Sequence, residues 1–344
     1  RAAQQRFDRD VPYKSRLPVI CVGNFTAGGT GKTPLSLHIA DLLVQAGEKP
    51  VFLTRGYGGS LAGPVFLDRE HHTARDVGDE PLLLARAGPV MIARDRAAGA
   101  RAIETSDVPA SVIVMDDGLQ NPALAKDVAI ALVDGVRGVG NGLVMPAGPL
   151  RAPLEFQLGL VDAIVVVGGA RPEADGSLSD RGMTETSAGV QGPEVLKSLR
   201  LSFPGPVLSA SQEPEGDVSW LAGAPVLAYA GIGNPERFFS LLRRLGASVV
   251  ETIVFRDHQA LAERDAANLL ARAQAVGATL VTTEKDMARL AVGVPGDGSA
   301  LARLAAASRS LPIRIALSEA DGARLADLVV TGALTGGYRR ALRR

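Results

Sequence analysis

The chain has one cysteine, Cys21, so disulfides are excluded and a reducing compartment fits. It has no net charge, 37 basic residues against 37 acidic ones, so no global field favours nucleic acid as a partner. No apolar run approaches the ~18 residues that a membrane span needs. Only four histidines exist, which confines imidazole chemistry to His38, His71, His72 and His258. His38 falls in a helical stretch and reads as structural, and His71 and His72 sit in a charged loop and read as solvated. His258 closes Phe255-Arg256-Asp257-His258 between a strand and a helix. There it can be an acid/base or orienting group, or a structural one.

At 344 residues, 46% of them apolar, the chain suits two soluble globular domains. Its most informative stretch is Thr26-Ala27-Gly28-Gly29-Thr30-Gly31-Lys32-Thr33. An apolar run over 17–22 precedes it as a buried strand, and an amphipathic stretch over 35–44 follows as a helix. Strand, glycine-rich turn and Lys-Thr opening a helix is the arrangement of a P-loop. Its glycines let backbone N–H groups face phosphate oxygens, and the helix N-terminus adds partial positive charge. Lys32 then reaches the outer phosphates of ATP, and the Thr33 hydroxyl ligates Mg²⁺. One glycine is missing: position 26, where the full pattern has Gly, carries Thr.

Apolar runs alternate with helical patterns through most of the chain. Strands are predicted over 51–53, 90–92, 112–115, 128–133, 163–167, 226–230, 248–255, 278–282 and 313–316. Helices are predicted over 80–87, 94–104, 235–245 and 260–275. Such alternation indicates an α/β protein with a P-loop-type parallel sheet covered on both faces, joined to a second, smaller α/β domain. The expected units are a basic N-terminal segment (1–16), a P-loop domain (17–215), a smaller domain (222–335) and a basic tail (336–344). Residues 168–190, 211–219 and 293–298 read as loops. The charged ends suit solvent or an anionic membrane surface. Because the chain opens on Arg1 rather than Met, an upstream segment is expected.

The strand over 112–115 runs into Asp116-Asp117-Gly118-Leu119-Gln120. Downstream of a P-loop, a carboxylate at a strand's C-terminal end stands beside Mg²⁺. Gln120 is a further oxygen ligand or polar surface. In Gly78-Asp79-Glu80-Pro81, Asp79 can cap a helix. Alternatively, one carboxylate takes a proton from an acceptor hydroxyl while its neighbour faces the metal. Arg151 lies in a proline-rich loop and can clamp phosphate or serve solubility. Gly231-Ile232-Gly233-Asn234-Pro235 imitates half a dinucleotide fingerprint, but Glu236 stands where its third glycine belongs. Arg55-Gly56-Tyr57-Gly58-Gly59 is a flexible loop close to the cradle.

In this order the motifs resemble the tetraacyldisaccharide 4′-kinases, the lipid A 4′-kinase family. The matching segments run from Val22-Gly23-Asn24 and the cradle through Thr54–Gly59, Gly78–Pro81, Asp116–Gln120, Gly140–Gly142 and Pro146–Arg151 to Ala230–Pro235 and Thr282–Asp286. Thr at position 26 is usual in that family. The resemblance implies transfer of the ATP γ-phosphoryl group to the 4′-hydroxyl of a tetraacylated glucosamine disaccharide 1-phosphate. By motif, Lys32 contacts phosphates, Thr33, Glu80 and Gln120 surround Mg²⁺, and Asp79 is the base oriented by His258. Asp116 and Asp117 supply strand-end carboxylates, and Arg151 neutralises phosphate charge. The implied partners are a lipid disaccharide and an anionic membrane, with no obligate protein partner. The implied location is peripheral, on the cytoplasmic side of a bacterial inner membrane. Two features depart from the family pattern. Asn121-Pro122-Ala123-Leu124 stands where the family has a His and basic residues, and only the basic end of an N-terminal docking helix is present. A P-loop regulatory ATPase and a soluble small-molecule kinase or ligase remain as alternatives.

Overall fold

The strand before the glycine-rich turn is buried at all of its positions, as a continuous apolar run between helical layers must be. The structure, a computed structural model, describes residues 5, 7, 9, 11–168, 192–290 and 298–335. In chain order its strands are β1 (Val19–Asn24), β2 (Pro50–Thr54), β3 (Val65–Phe66), β4 (Val90–Ile92), β5 (Val112–Asp116), β6 (Val128–Asp134), β7 (Ala163–Val167) and β8 (Val207–Pro214). They continue with β9 (Pro225–Ala230), β10 (Ser248–Val254), β11 (Thr279–Thr283), β12 (Ser308–Leu311) and β13 (Ile313–Leu317).

A nine-stranded sheet has the order β13-β8-β7-β6-β1-β5-β2-β4-β3, and a four-stranded sheet the order β10-β9-β11-β12. Neighbours from β8 to β4 in the large sheet run parallel, and the edge strands β13 and β3 run antiparallel. β1 lies between β5 and β6, so the cradle and Asp116 leave adjacent strands at the same sheet edge. That crevice beyond the carboxyl ends of parallel strands is where open α/β sheets bind ligands. Two cores cover the large sheet, one around Ile20, Leu35, Ile39 and Phe52, the other around Cys21, Phe25, Leu53 and Ile113. Cys21 is therefore a core residue whose thiol burial pushes up to about 11.

The tertiary structure departs from the sequence reading in three places. β13 and the helix Glu319–Thr335, expected in the smaller unit, return to the large one. β13 pairs with β8, and Leu325, Leu328 and Val329 pack into the core around Leu35. Residues 211–214, expected as loop, are strand: β8 has too polar a pattern to stand out, and only its pairing with β13 and β7 makes it a strand. β3 and β12 are short edge strands without a sequence signal. Most of the loops read over 168–190 and 293–298, and the basic tail, lie outside the described residues. Among the described residues no helix is long and apolar enough to cross a membrane.

Candidate active site

The cradle owes its shape to glycine. Gly28 has φ of 118° and Gly31, the N-cap of the helix Lys32–Gln45, has φ of 97°, a region that residues with a Cβ rarely adopt. Gly28 and Gly29 are exposed at the helix N-terminus, and a Cβ built on either meets nothing within 4 Å. Asn24, fully buried, donates from Nδ2 to the Gly28 carbonyl and to Thr30 Oγ1, each at 3.2 Å. Thr26 bridges to Leu150, and the Ala27 N–H donates to the Pro149 carbonyl at 2.8 Å, which ties the cradle to the loop carrying Arg151. Thr33 is buried at the first turn of the helix. An open turn of N–H groups with a lysine beside it fits a polyphosphate such as that of ATP.

Lys32 Nζ stands 3.8 Å from Asp117 Oδ1, and Arg151 grips the same carboxylate with Nη1 at 3.0 Å and Nη2 at 3.3 Å. Burial opposes ionisation of Asp117, but Lys32 and Arg151 outweigh it and hold the carboxyl below the usual range. Asp116 Oδ1 accepts from Ser36 Oγ at 2.8 Å, and burial pushes this carboxyl up to about 6 despite the charge of Lys32. A buried carboxylate short of positive charge suits a hard divalent cation. Asp116 and the buried Thr33 hydroxyl are oxygen donors of the kind Mg²⁺ takes. Gln120 Nε2 donates to the Asn24 carbonyl and to Gln157 Oε1, both at 2.7 Å, which anchors the amide beneath the cradle by its nitrogen and leaves Oε1 as its oxygen donor.

The second half of the site forms where His258, Lys285 and Arg289 of the small unit meet Asp79 and Glu80 of the large one. Asp79, 2% exposed at the start of the helix Asp79–Leu84, accepts from His258 Nδ1 at 3.2 Å on Oδ1. On Oδ2 it accepts from Arg289 Nε at 3.1 Å and Nη2 at 2.8 Å. Glu80 Oε1 accepts from Lys285 Nζ at 2.6 Å. Burial alone would raise the Asp79 carboxyl; His258, Arg289 and Lys285 instead hold it far below the usual carboxylate range. The bond to Asp79 in turn raises the His258 imidazole above its ordinary value. Ligand atoms of Asp79, Glu80 and His258 lie within 4.8 Å of one another. Arg289 and Lys285 already pair with these two carboxylates.

Among the described residues, Asp117 and His258 are the only non-glycine residues with positive φ, 49° and 59°. Backbone strain of this kind concentrates at functional positions. Tyr57, from the glycine-rich loop after β2, meets the His258 ring edge-on at 5.2 Å. His38 lies in the first helix, half-buried, and His71 pairs with Asp68 on the surface, away from these contacts.

The residues that sequence reasoning left without a role are Ser36, Lys285, Asp286 and Arg289. Lys285 and Arg289 are four apart on the helix Glu284–Leu290, hence on one face, and both meet the Asp79-Glu80 pair. That spacing was visible in the sequence, but its target was not. A further ion pair, Arg86 with Glu284, closes the same helix-to-helix contact.

The phosphate cradle on a central parallel strand, the neighbouring strand-end carboxylates and the Asp–His pair together define a P-loop phosphotransferase. A family model described as tetraacyldisaccharide-1-P 4′-kinase (LpxK) matches residues 1–329. The chain belongs to this family. It is 47% identical over 310 residues to a tetraacyldisaccharide 4′-kinase of Methylobacterium nodulans, covering 90% of this chain and 82% of that protein. To the enzyme of the same name from Rhodopseudomonas palustris strain BisB18 it is also 47% identical, over 317 residues, 91% of this chain and 83% of the other. A crystal structure of LpxK from Aquifex aeolicus in complex with ATP is similar in fold, with a TM-score of 0.65 at 23% identity, covering 96% of this chain and 93% of that one. Family membership does not favour the regulatory-ATPase or soluble-kinase alternatives.

Proposed function

We propose that this chain transfers the γ-phosphoryl group of ATP to the 4′-hydroxyl of tetraacyldisaccharide 1-phosphate. The observation that carries the mechanism is the Asp79–His258 pair, in which the small unit brings His258 against Asp79 of the large one. N–H groups of residues 28–33 and the Lys32 ammonium hold the phosphates, and Arg151, already beside Asp117, adds positive charge where the phosphoryl group moves. Thr33, Asp116 and Glu80 would hold Mg²⁺, which supplies charge neutralisation at the phosphate oxygens. Gln120, anchored by its Nε2, supports the cradle and keeps Oε1 as a further oxygen donor toward the metal.

The sequence reading gave the base role to Asp79. With both oxygens occupied and cations on either side, that carboxylate is a poor proton acceptor. It serves better to hold the imidazole with Nδ1–H toward Oδ1, leaving His258 Nε2 to accept the hydroxyl proton. In this reading Tyr57 steadies the ring from its edge. The acyl chains of the acceptor call for a peripheral position on the cytoplasmic face of an anionic inner membrane, which the basic residues at both chain ends suit.

The test is an assay with ³³P-labelled ATP and a panel of acceptors: tetraacyldisaccharide 1-phosphate in mixed micelles, its deacylated form, and no acceptor. Label in the 4′-phosphorylated lipid is the expected result. ATP hydrolysis indifferent to the acceptor would sink the kinase reading in favour of a regulatory ATPase.

A further inference from the structure

Apart from Lys285, two motifs in the small unit, Thr282–Asp286 and Gly231–Asn234, have no role in the chemistry described above, yet they meet at one side chain. Arg289 is 10% exposed and spends its guanidinium on three partners. Nε and Nη2 close a fork on Asp79 Oδ2, while Nη1 donates to the Gly231 carbonyl at 2.9 Å and to Asp286 Oδ1 at 2.8 Å. Asp286 is itself locked. Its Oδ2 accepts from Thr283 Oγ1 at 2.6 Å, and its Oδ1 also accepts from the Gly231 N–H at 3.1 Å. The Gly231 carbonyl then accepts the backbone N–H of His258 at 3.1 Å, the residue with φ of 59°. A Cβ at position 231 would stand 3.1 Å from Arg289 Nη1, Asp286 Oδ1 and the Arg256 carbonyl alike, so any side chain there would crowd all three groups.

We infer that Arg289, braced by Thr283, Asp286 and Gly231, is a positioning residue for phosphoryl transfer. It fixes Asp79 by one oxygen and the His258 backbone through Gly231, so that Asp79 Oδ1 and His258 Nδ1 meet in one geometry. The role rests on the proposed kinase mechanism above. Its physical basis is the planar guanidinium, which sends two N–H groups to Asp79 Oδ2 while its third nitrogen is held by Gly231 and Asp286; a lysine at 289 offers a point charge without that second anchor. The same side chain spans the two units, from Gly231 after β9 to Asp79 between β3 and β4, so base alignment is coupled to the approach of the units.

The experiment uses the full chain carrying Arg289→Met, Arg289→Lys and Asp286→Asn, with steady-state kinetics on tetraacyldisaccharide 1-phosphate and ¹H–¹⁵N NMR of the histidine rings. Loss of a charge-assisted fork predicts a fall in kcat of about 10- to 100-fold for Arg289→Met. Half-saturating ATP and Mg²⁺ are expected to stay within about twofold, and the hydrogen-bonded His258 Nδ1–H resonance to move upfield. Arg289→Lys recovers part of kcat, and Asp286→Asn loses less than Arg289→Met. Lys32→Ala, which acts on phosphate, leaves the resonance in place. A wild-type kcat in Arg289→Met, or an unmoved His258 signal, overturns the positioning role. If Arg289→Met does not fold, Arg289→Lys decides by the same two readings. The NMR arm needs no acceptor, so a moved signal in an enzyme that phosphorylates no lipid refutes the kinase reading and leaves the clamp standing.

Discussion

Asp79→Asn and His258→Ala, singly and together, probe the pair most directly. Asp79→Asn keeps shape but removes the charge that accepts from His258 Nδ1 at 3.2 Å and from the Arg289 fork. A hydrogen bond to a charged group is worth about 1.5–3 kcal/mol, and each ~1.4 kcal/mol is tenfold in rate. Loss of the orienting bond therefore predicts a fall in kcat of roughly 10- to 150-fold for Asp79→Asn. His258→Ala removes the proton acceptor itself and is expected to cost about 10²–10⁴-fold. If Asp79 acts through His258, the double variant falls little below His258→Ala, because the carboxylate has nothing left to orient. The assay is single-turnover transfer of ³³P to the lipid at saturating ATP and Mg²⁺. Urea denaturation of each variant separates rate from stability, since Arg289 keeps Asp286 as a partner at 2.8 Å when Asp79 is neutralised. Multiplicative losses would show that the two residues act independently. A larger loss in Asp79→Asn than in His258→Ala would return the base role to the carboxylate.

Lys32→Ala is expected to lower transfer about 10²–10³-fold without unfolding the chain, since Lys32 makes one long ion pair, 3.8 Å, to a carboxylate that Arg151 also holds; near-wild-type turnover would remove the cradle from the mechanism. Glu80→Gln weakens an oxygen donor for a hard cation, so the Mg²⁺ concentration at half-maximal rate rises while the ATP dependence at saturating Mg²⁺ holds; an unchanged Mg²⁺ titration counts against Glu80 as ligand. Asp116 carries a pH prediction. Its folded value of about 6 lies above the ordinary 3.8, so the folded state keeps the proton longer, and stability of the nucleotide-free, metal-free chain falls as pH rises from about 4 to about 6. Asp116→Asn removes that penalty and stabilises the apo chain at pH 7 by at most about 3 kcal/mol, with no gain at pH 4 and with loss of activity; thermal melts at the two pH values decide, and an equal effect at both contradicts a buried ionised carboxylate.

By itself the sequence determined the parallel strands, the cradle and the strand-end acids. These are local signals: an unbroken apolar run means a strand covered on both faces, and Gly-Gly-Thr-Gly-Lys-Thr after such a run leaves the backbone one arrangement. The family resemblance came from the same segments. What only tertiary structure decided lies between segments far apart in the chain. Ser211–Pro214 is a strand because β13, about a hundred residues later, pairs with it, and β13 with the helix Glu319–Thr335 joins the large unit because its apolar face matches the core around Leu35. The charges around Asp79 were out of reach of the residue patterns, since Arg289 and His258 reach it across 210 and 179 residues, and only the family resemblance paired His258 with it. A proton's preference for imidazole or carboxylate depends on burial and on which charges stand within a few ångströms, and those distances exist only once two sheets have packed against one another.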